Sequence, residues 1–176
     1  GGFLPTEDWK QKTKGEPWYI GDTYHLAIGQ GDTLVTPLQI AGYTAVFANG
    51  GSWYRPHLVK QVLNNRDELI GEADNRPVKS NIVSYKTINI VREGMRQAVT
   101  AGSARSLQSV PVEVAGKTGT AQWSSTKPTH AWFTGFAPYD KPQIVITILI
   151  EQGGEGSATA VPIANEVLSW WFSKKK

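Results

Sequence analysis

The segment Ala115-Gly116-Lys117-Thr118-Gly119-Thr120 sets an ammonium and two hydroxyls among glycines, inside a stretch that alternates like a strand. On a strand, successive side chains point to opposite faces, so Lys117 and Gly119 should share one face and Thr118 and Thr120 the other. Gly119 lacks a Cβ, so a ligand or a second backbone can come close to the strand there. A lysine and two hydroxyls beside such a gap can hold a carboxylate. Backbone N–H groups left free at a strand edge can bind an oxyanion. An exposed edge can also take an extended peptide as an added strand. The same residues would equally suit a solvated edge strand whose lysine discourages aggregation.

Competing chemistries fit less well. The Gly116-Lys117-Thr118 triplet matches the end of a phosphate-binding loop, but the first glycine that loop requires is replaced by Pro111. The segment Gly29–Leu34 fails the dinucleotide fingerprint at its last position, Leu34. His25, His57 and His130 are scattered without metal-ligand spacing, and there is no cysteine, so no metal site is expected. Nothing in the sequence calls for an organic cofactor.

The elements that must position the motif follow from punctuation and period. Residues 1–23, rich in Gly, Pro, Trp and charge, read as an irregular surface segment. "TYHLAIGQG" then alternates weakly and breaks at Gly29 and Gly31. Thr36, Pro37 and Gln39 form a capping box with proline at the first helical position. They predict a helix that ends at Gly50-Gly51 and carries Leu38, Ala41, Ala45 and Ala48 on one face. "SWYRPHLVKQVLN" alternates like a strand, with Pro56 hinting at an edge, and residues 64–80 read as a loop or short hairpin. An amphipathic helix follows Ser84, with Ile88, Val91, Met95 and Ala98 at helical spacing and Gly102 as its stop.

After that helix the period changes to two. "VEVAGKTGTAQ", "AWFTGFAP" and "QIVITILIEQ" read as successive strands. Ile144 to Ile150 is apolar on both faces, which predicts a central strand covered by helices on each side. A last helix, roughly 158–173, presents Val161, Ala164, Leu168 and Trp171. The fold class expected is α+β: an antiparallel sheet with helices packed on both faces.

Composition narrows the function further. The 176 residues suit one domain, and 40% hydrophobic content is enough for a core. The net charge of +3 owes much to the terminal run Lys174-Lys175-Lys176, and no basic stripe with interleaved aromatics points to nucleic acid. The longest apolar run is too short to span a bilayer. The opening "GGFLPTEDWK" carries no methionine, signal peptide or anchor, so the chain is expected to be a fragment.

Lys117-Thr118-Gly119 is similar to the K-T-G signature of penicillin-recognising serine enzymes, whose other signatures are S-x-x-K and S-x-N. "HAWFTGFAP", an apolar strand and a final helix follow it, in the order that ends a transpeptidase domain. The upstream "WYIGDTYHLAIGQGDTLVTPLQIAGYTAVFANGG" closely resembles class B penicillin-binding proteins, especially elongation-type monofunctional D,D-transpeptidases. The resemblance spans nearly the whole chain and is weakest over residues 60–80.

That resemblance implies that Lys117 supports the electrostatics and proton traffic of the cleft. Thr118 and Thr120 would bind the terminal carboxylate of a D-Ala-D-Ala stem peptide or of a β-lactam. The Thr120 N–H would donate to the oxyanion, and Gly119 would give the substrate room. The chain departs from the pattern in having no S-x-N. Its S-x-x-K matches, Ser124–Lys127 and Ser173–Lys176, fall in a loop and at the tail, not at a rigid helix start. No nucleophile is therefore expected in this chain. Residues 1–176 would form the C-terminal part of a transpeptidase domain, with the nucleophile in an N-terminal half of the same protein. The family further implies work on the outer face of the bacterial cytoplasmic membrane beside a SEDS-type (RodA-like) glycan polymerase. Two other readings remain: a module that binds cell-wall peptide without reacting, and a structural module using some of the seven tryptophans.

Overall fold

The computed structural model describes residues 1–174. Helices α1 (Glu7–Lys14), α2 (Ile20–Ala27) and α3 (Pro37–Ala48) come first, then a small hairpin of β1 (Gln61–Leu63) and β2 (Leu69–Glu72). Helix α4 (Tyr85–Thr100) and a 3-10 turn, Arg105–Ser109, lead into strands β3 (Ala115–Ala121), β4 (His130–Ala137) and β5 (Ile144–Ile150). Helix α5 (Ala160–Ser173) closes the order. Lys175 and Lys176, and with them the end of the Ser173–Lys176 match, lie outside the described residues.

The main sheet is an antiparallel meander in the order β3-β4-β5, with helices on both faces, the α+β arrangement expected. Alternation assigns the faces. Val114, Ala131, Phe133 and the even-numbered isoleucines of β5 join Val161, Ala164 and Leu168 of α5 in the larger core. Ala115 and Phe136 point the other way, to Ala48 of α3 and Met95 of α4. Phe133 and Phe136 are fully buried, and each such side chain contributes about 1.5–3 kcal/mol by leaving water. A hydroxyl chain crosses the second layer: Thr44 of α3 meets Thr134 Oγ1 at 2.8 Å, and Thr134 meets Thr147 Oγ1 at 2.7 Å.

Arg92 fixes α4 against this face. Its guanidinium donates to Phe47 O at 3.2 Å and to Ala48 O at 2.8 Å, carbonyls left open at the end of α3 where a cation is favoured. It also donates to Tyr139 O and lies 5.0 Å from the centre of the Phe136 ring. Arg96 donates to Val114 O at 3.1 Å, which anchors the residue preceding β3.

Several expectations need correction. Residues 1–23 are not irregular throughout. Thr6 accepts from Trp9 N–H at 3.2 Å, Glu7 and Asp8 occupy the first turn, Lys12 and Lys14 the last, and Gly15 closes α1 at φ 71°. "TYHLAIGQG" alternates in type yet forms most of α2, because Asp22 reaches back to accept from Tyr19 N–H at 2.7 Å. Only Gln61–Leu63 of the long upstream strand pairs as a strand, apart from a single bridge between Trp53 and Lys79. In α3 the buried residues are Thr44, Val46, Phe47 and Ala48, whereas Leu38 is 62% exposed. Strand β5 is covered on both faces as expected. The centre of the described sheet, however, is β4, because one edge of β5 has no partner strand among the described residues. The sequence also suggests Trp132, Trp170 and Trp171 as core or helix-packing residues, but Trp170 is 55% exposed, with Lys174 over its ring.

Candidate functional site

Strand β3 pairs with β4 on one side only, from Ala115↔Phe136 to Ala121↔His130. Its other edge has no strand partner among the described residues. Two contacts show which backbone groups face that edge. Lys117 Nζ curls over it to donate to Thr118 O at 2.6 Å, and Gln30 Nε2 donates to Thr120 O at 3.1 Å. In an antiparallel strand, a residue's C=O and N–H point to the same side. The N–H groups of Thr118 and Thr120 therefore also face the free edge, and those of Lys117 and Gly119 face β4.

The side chains divide as their spacing predicts. Thr118 pairs with Phe133 and Thr120 with Ala131, both on the α5 face, while Lys117 pairs with Thr134 on the α3 face. Each threonine hydroxyl has a neighbour that sequence reasoning missed. Ser103, in the turn after α4, lies 2.7 Å from Thr118 Oγ1. Glu155, before α5, accepts from Thr120 Oγ1 at 3.3 Å, and Gly156 N–H approaches the same hydroxyl at 3.5 Å. Ser103 and Glu155 had no detectable signal, since each stands in a connection whose path is set by packing. Gln30 carried a partial one, sitting between two glycines that break the local pattern.

Gly119 and Gly156 make the strand's two faces thin. A Cβ on Gly119 would stand 3.0 Å from Trp132 Cβ. A Cβ on Gly156 would press well inside 3.0 Å on both Gly119 O and Trp132 O, so the connection before α5 lies directly on the β3–β4 ladder. Backbone thus packs closely beneath Thr118–Thr120, and the edge beside them has no strand partner among the described residues.

The Ser124–Lys127 match does not form a serine–lysine pair. Ser124 Oγ bonds within its loop, to Thr126 N–H at 3.2 Å, and Lys127 Nζ lies 4.8 Å from the centre of the Trp123 ring. His130 is occupied structurally: its Nδ1 accepts from Gln152 N–H at 3.0 Å and its ring stacks on Trp123 at 5.2 Å. A cavity of about 690 Å³ lies elsewhere, against the β1–β2 hairpin, lined by Arg55, His57, Val62, Asp74 and Arg76. Beside it Arg76 holds the Asp74 carboxyl down at about 2, mainly through their hydrogen bonds.

Comparison with known proteins places this edge strand in context. Residues 3–169 match the penicillin binding protein transpeptidase domain. The peptidoglycan D,D-transpeptidase MrdA of Haemophilus influenzae is 34% identical over 194 residues, covering 98% of this chain. The chain spans 29% of the length of that relative. The crystal structure of Pseudomonas aeruginosa PBP2 in complex with WCK 5153 superposes with a TM-score of 0.81 at 38% identity, over 97% of this chain and 38% of that one. A peptidoglycan synthase complex, described as coordinating polymerization and crosslinking, gives a TM-score of 0.78 at 37% identity, over 97% of this chain and 29% of that one. With the family model spanning almost all of its length, the chain belongs to the penicillin-binding protein transpeptidase family.

Proposed function

We propose that residues 1–176 are the C-terminal part of a peptidoglycan D,D-transpeptidase and form the substrate-binding wall of its active site. The observation that carries this reading is the free edge of β3, which presents the Thr120 N–H beside the Thr118 and Thr120 hydroxyls and the Lys117 ammonium. The substrate is a stem peptide ending in D-Ala-D-Ala, laid along β3, with its terminal carboxylate bound by Thr118 and Thr120. A β-lactam carboxylate takes the same place.

In the acyl transfer, a serine Oγ from the N-terminal part of the same protein attacks the penultimate D-Ala carbonyl. Its proton passes to the departing nitrogen as the C–N bond breaks and the terminal D-Ala leaves. An amine of a second stem peptide then attacks the acyl-enzyme, restoring the serine and completing the cross-link. This chain contributes at two points. The Thr120 N–H donates to the carbonyl oxygen as charge develops on it, a contribution of about 2.7–4 kcal/mol per donor in comparable sites. Lys117 supplies positive potential along the edge and assists proton movement.

The N-terminal part would also dock on surface left open here. Ile20, Tyr24 and Ile28 of the α2 region are 71%, 63% and 72% exposed, and β5 keeps an unpaired edge among the described residues. Contiguous apolar surface of this kind marks an interface. The parent protein would work at the outer face of the cytoplasmic membrane, beside a SEDS-type glycan polymerase. No helix among the described residues is long and apolar enough to cross a membrane, so anchoring would rest with another part.

Intact mass spectrometry after incubation with a penicillin tests the reading. The complete protein should gain one adduct, mapped by proteolysis to a serine outside residues 1–176. An adduct on Ser124 would overturn the division of roles. Reversible stem-peptide binding with no adduct on the complete protein would mean a binding module rather than an enzyme.

A further inference from the structure

The carbonyl of Thr120 is held from 90 positions away in the sequence. Gln30 Nε2 donates to it at 3.1 Å across the outer edge of β3. The loop carrying Gln30 is built to aim that amide. Gly29 and Gly31 flank it at φ 72° and 77°, a backbone conformation natural for glycine, and Gln30 N–H donates to His25 O at 2.8 Å. Asp32 is tied to Lys14 of α1 at 2.6 Å, and Leu34 exchanges backbone hydrogen bonds with Phe3 at 2.7 and 2.9 Å. Both sides of the loop are therefore fastened, and the half-buried Gln30 side chain spans the gap to β3.

We propose that Gln30 is a positioning residue: by holding the Thr120 carbonyl, it orients the Thr120 N–H for the developing oxyanion. The inference rests on the transpeptidase reading and extends it to a residue outside the K-T-G strand. A neighbouring strand would occupy both the C=O and the N–H of Thr120. A side-chain amide takes the C=O and leaves the N–H open to substrate. On its inner side Thr120 is already constrained, since Gly119 O is backed by Gly156 and the β4 ladder. Gln30 supplies the constraint on the outer side, where the described sheet has none. Gln30 holds the Thr120–Ala121 peptide, which shares the Thr120 Cα with the Gly119–Thr120 peptide that carries the donor. An oxyanion donor acts only within a narrow distance range of the developing charge, so loosening β3 at this Cα slows the chemical step rather than the initial binding.

The test uses the complete protein and a fluorescent penicillin in stopped flow, which separates the initial dissociation constant from the acylation rate constant. Gln30→Ala removes the amide. Gln30→Glu keeps the length and replaces the donor with a carboxylate that repels the Thr120 carbonyl. Both variants should acylate about tenfold more slowly or worse, with the initial dissociation constant within about twofold of wild type and an unchanged thermal midpoint. Wild-type acylation rates in both variants would overturn the inference and leave the transpeptidase reading standing. Loss of initial binding or of thermal stability in step with the rate would make Gln30 a structural brace, which also overturns it. If the wild-type protein itself forms no adduct, the transpeptidase reading fails and this inference falls with it.

Discussion

Replacing Gly156 with alanine should damage both stability and the proposed oxyanion donor, through one displacement. The new methyl would stand well under 3.0 Å from Gly119 O and Trp132 O, both backbone atoms in the β3–β4 ladder. Ordinary contact needs about 3.5 Å, so the strand or the connection must move by at least about half an ångström. Overpacking of this kind costs about 1–3 kcal/mol. In the complete protein, a longer chain than this one, that lowers the thermal midpoint by at most about 2–4 °C per kcal/mol. The second effect is geometric. Gly119 C=O and Thr120 N–H belong to one planar peptide group, so pushing the oxygen tilts the N–H. Losing an oxyanion donor altogether costs about 10²–10³ in rate, and a half-ångström tilt should remove about 10-fold or more. Calorimetry and penicillin acylation of the complete protein read the two effects separately. A lowered midpoint with an unchanged acylation rate would show that the connection yields and β3 does not, which refutes the coupling argued from the shared peptide plane.

Glu155 stands 3.3 Å from Thr120 Oγ1, where a ligand carboxylate would bind. Two carboxylates about 6 Å apart in a hydrated site repel by about 1 kcal/mol, so Glu155→Gln should speed acylation by carboxylate-bearing β-lactams about fivefold at low salt. The gain should fade at high salt, and a slower variant would sink the idea. Thr134→Val would orphan the hydroxyl of Thr44, which is 1% exposed, at a cost of about 1–3 kcal/mol in urea unfolding; an unchanged midpoint would contradict the hydroxyl chain. The Lys10–Asp22 pair, 2.6 Å apart, lowers the Asp22 pKa and raises that of Lys10, chiefly through their mutual hydrogen bond. Its contribution is full between the ordinary values of 3.8 and 10.5. It is lost as pH falls below that range through the Asp22 value, or rises above it through the Lys10 value. Asp22→Asn should flatten the acid limb of the stability profile, and an identical limb would refute the pairing.

Elements whose signals are local were legible in the sequence. Thr36, Pro37 and Gln39 define the start of α3 by their own hydrogen bonds, and Ser84 does the same for α4 by accepting from Thr87 N–H. The period of two delivered the three strands and correctly parted Lys117 from Thr118 and Thr120. Helix α1 was missed because it carries little apolar surface, although its cap at Thr6 and stop at Gly15 were present to be found. Apolar residues on both faces of β5 did report burial on both sides. They could not report pairing, because burial of a face and occupancy of an edge are separate conditions. The K-T-G strand itself was legible. Ser103, Glu155 and Gly156 were not, since tertiary packing alone brings them to it, and for Gln30 the flanking Gly29 and Gly31 marked the turn but not its partner on β3.

The meander also bears on how the chain comes to be folded. From α4 to α5, most partners lie close in sequence: β3 meets β4 and β4 meets β5 across short connections, and α5 follows at once. Low sequence separation favours early formation, because little loop entropy is lost before contacts are gained. Helices α1 to α3 are synthesised first, yet α3 rests on Thr134 and its neighbours, 90 positions downstream. They must wait, with their apolar surfaces uncovered, until the later half provides a surface. Hydrogen exchange should accordingly show β4 and α5 as the slowest-opening unit and α1 and α2 as the fastest. A site assembled from both groups, Thr120 from the early-forming one and Gln30 from the late-docking one, would be completed only at the last step of folding.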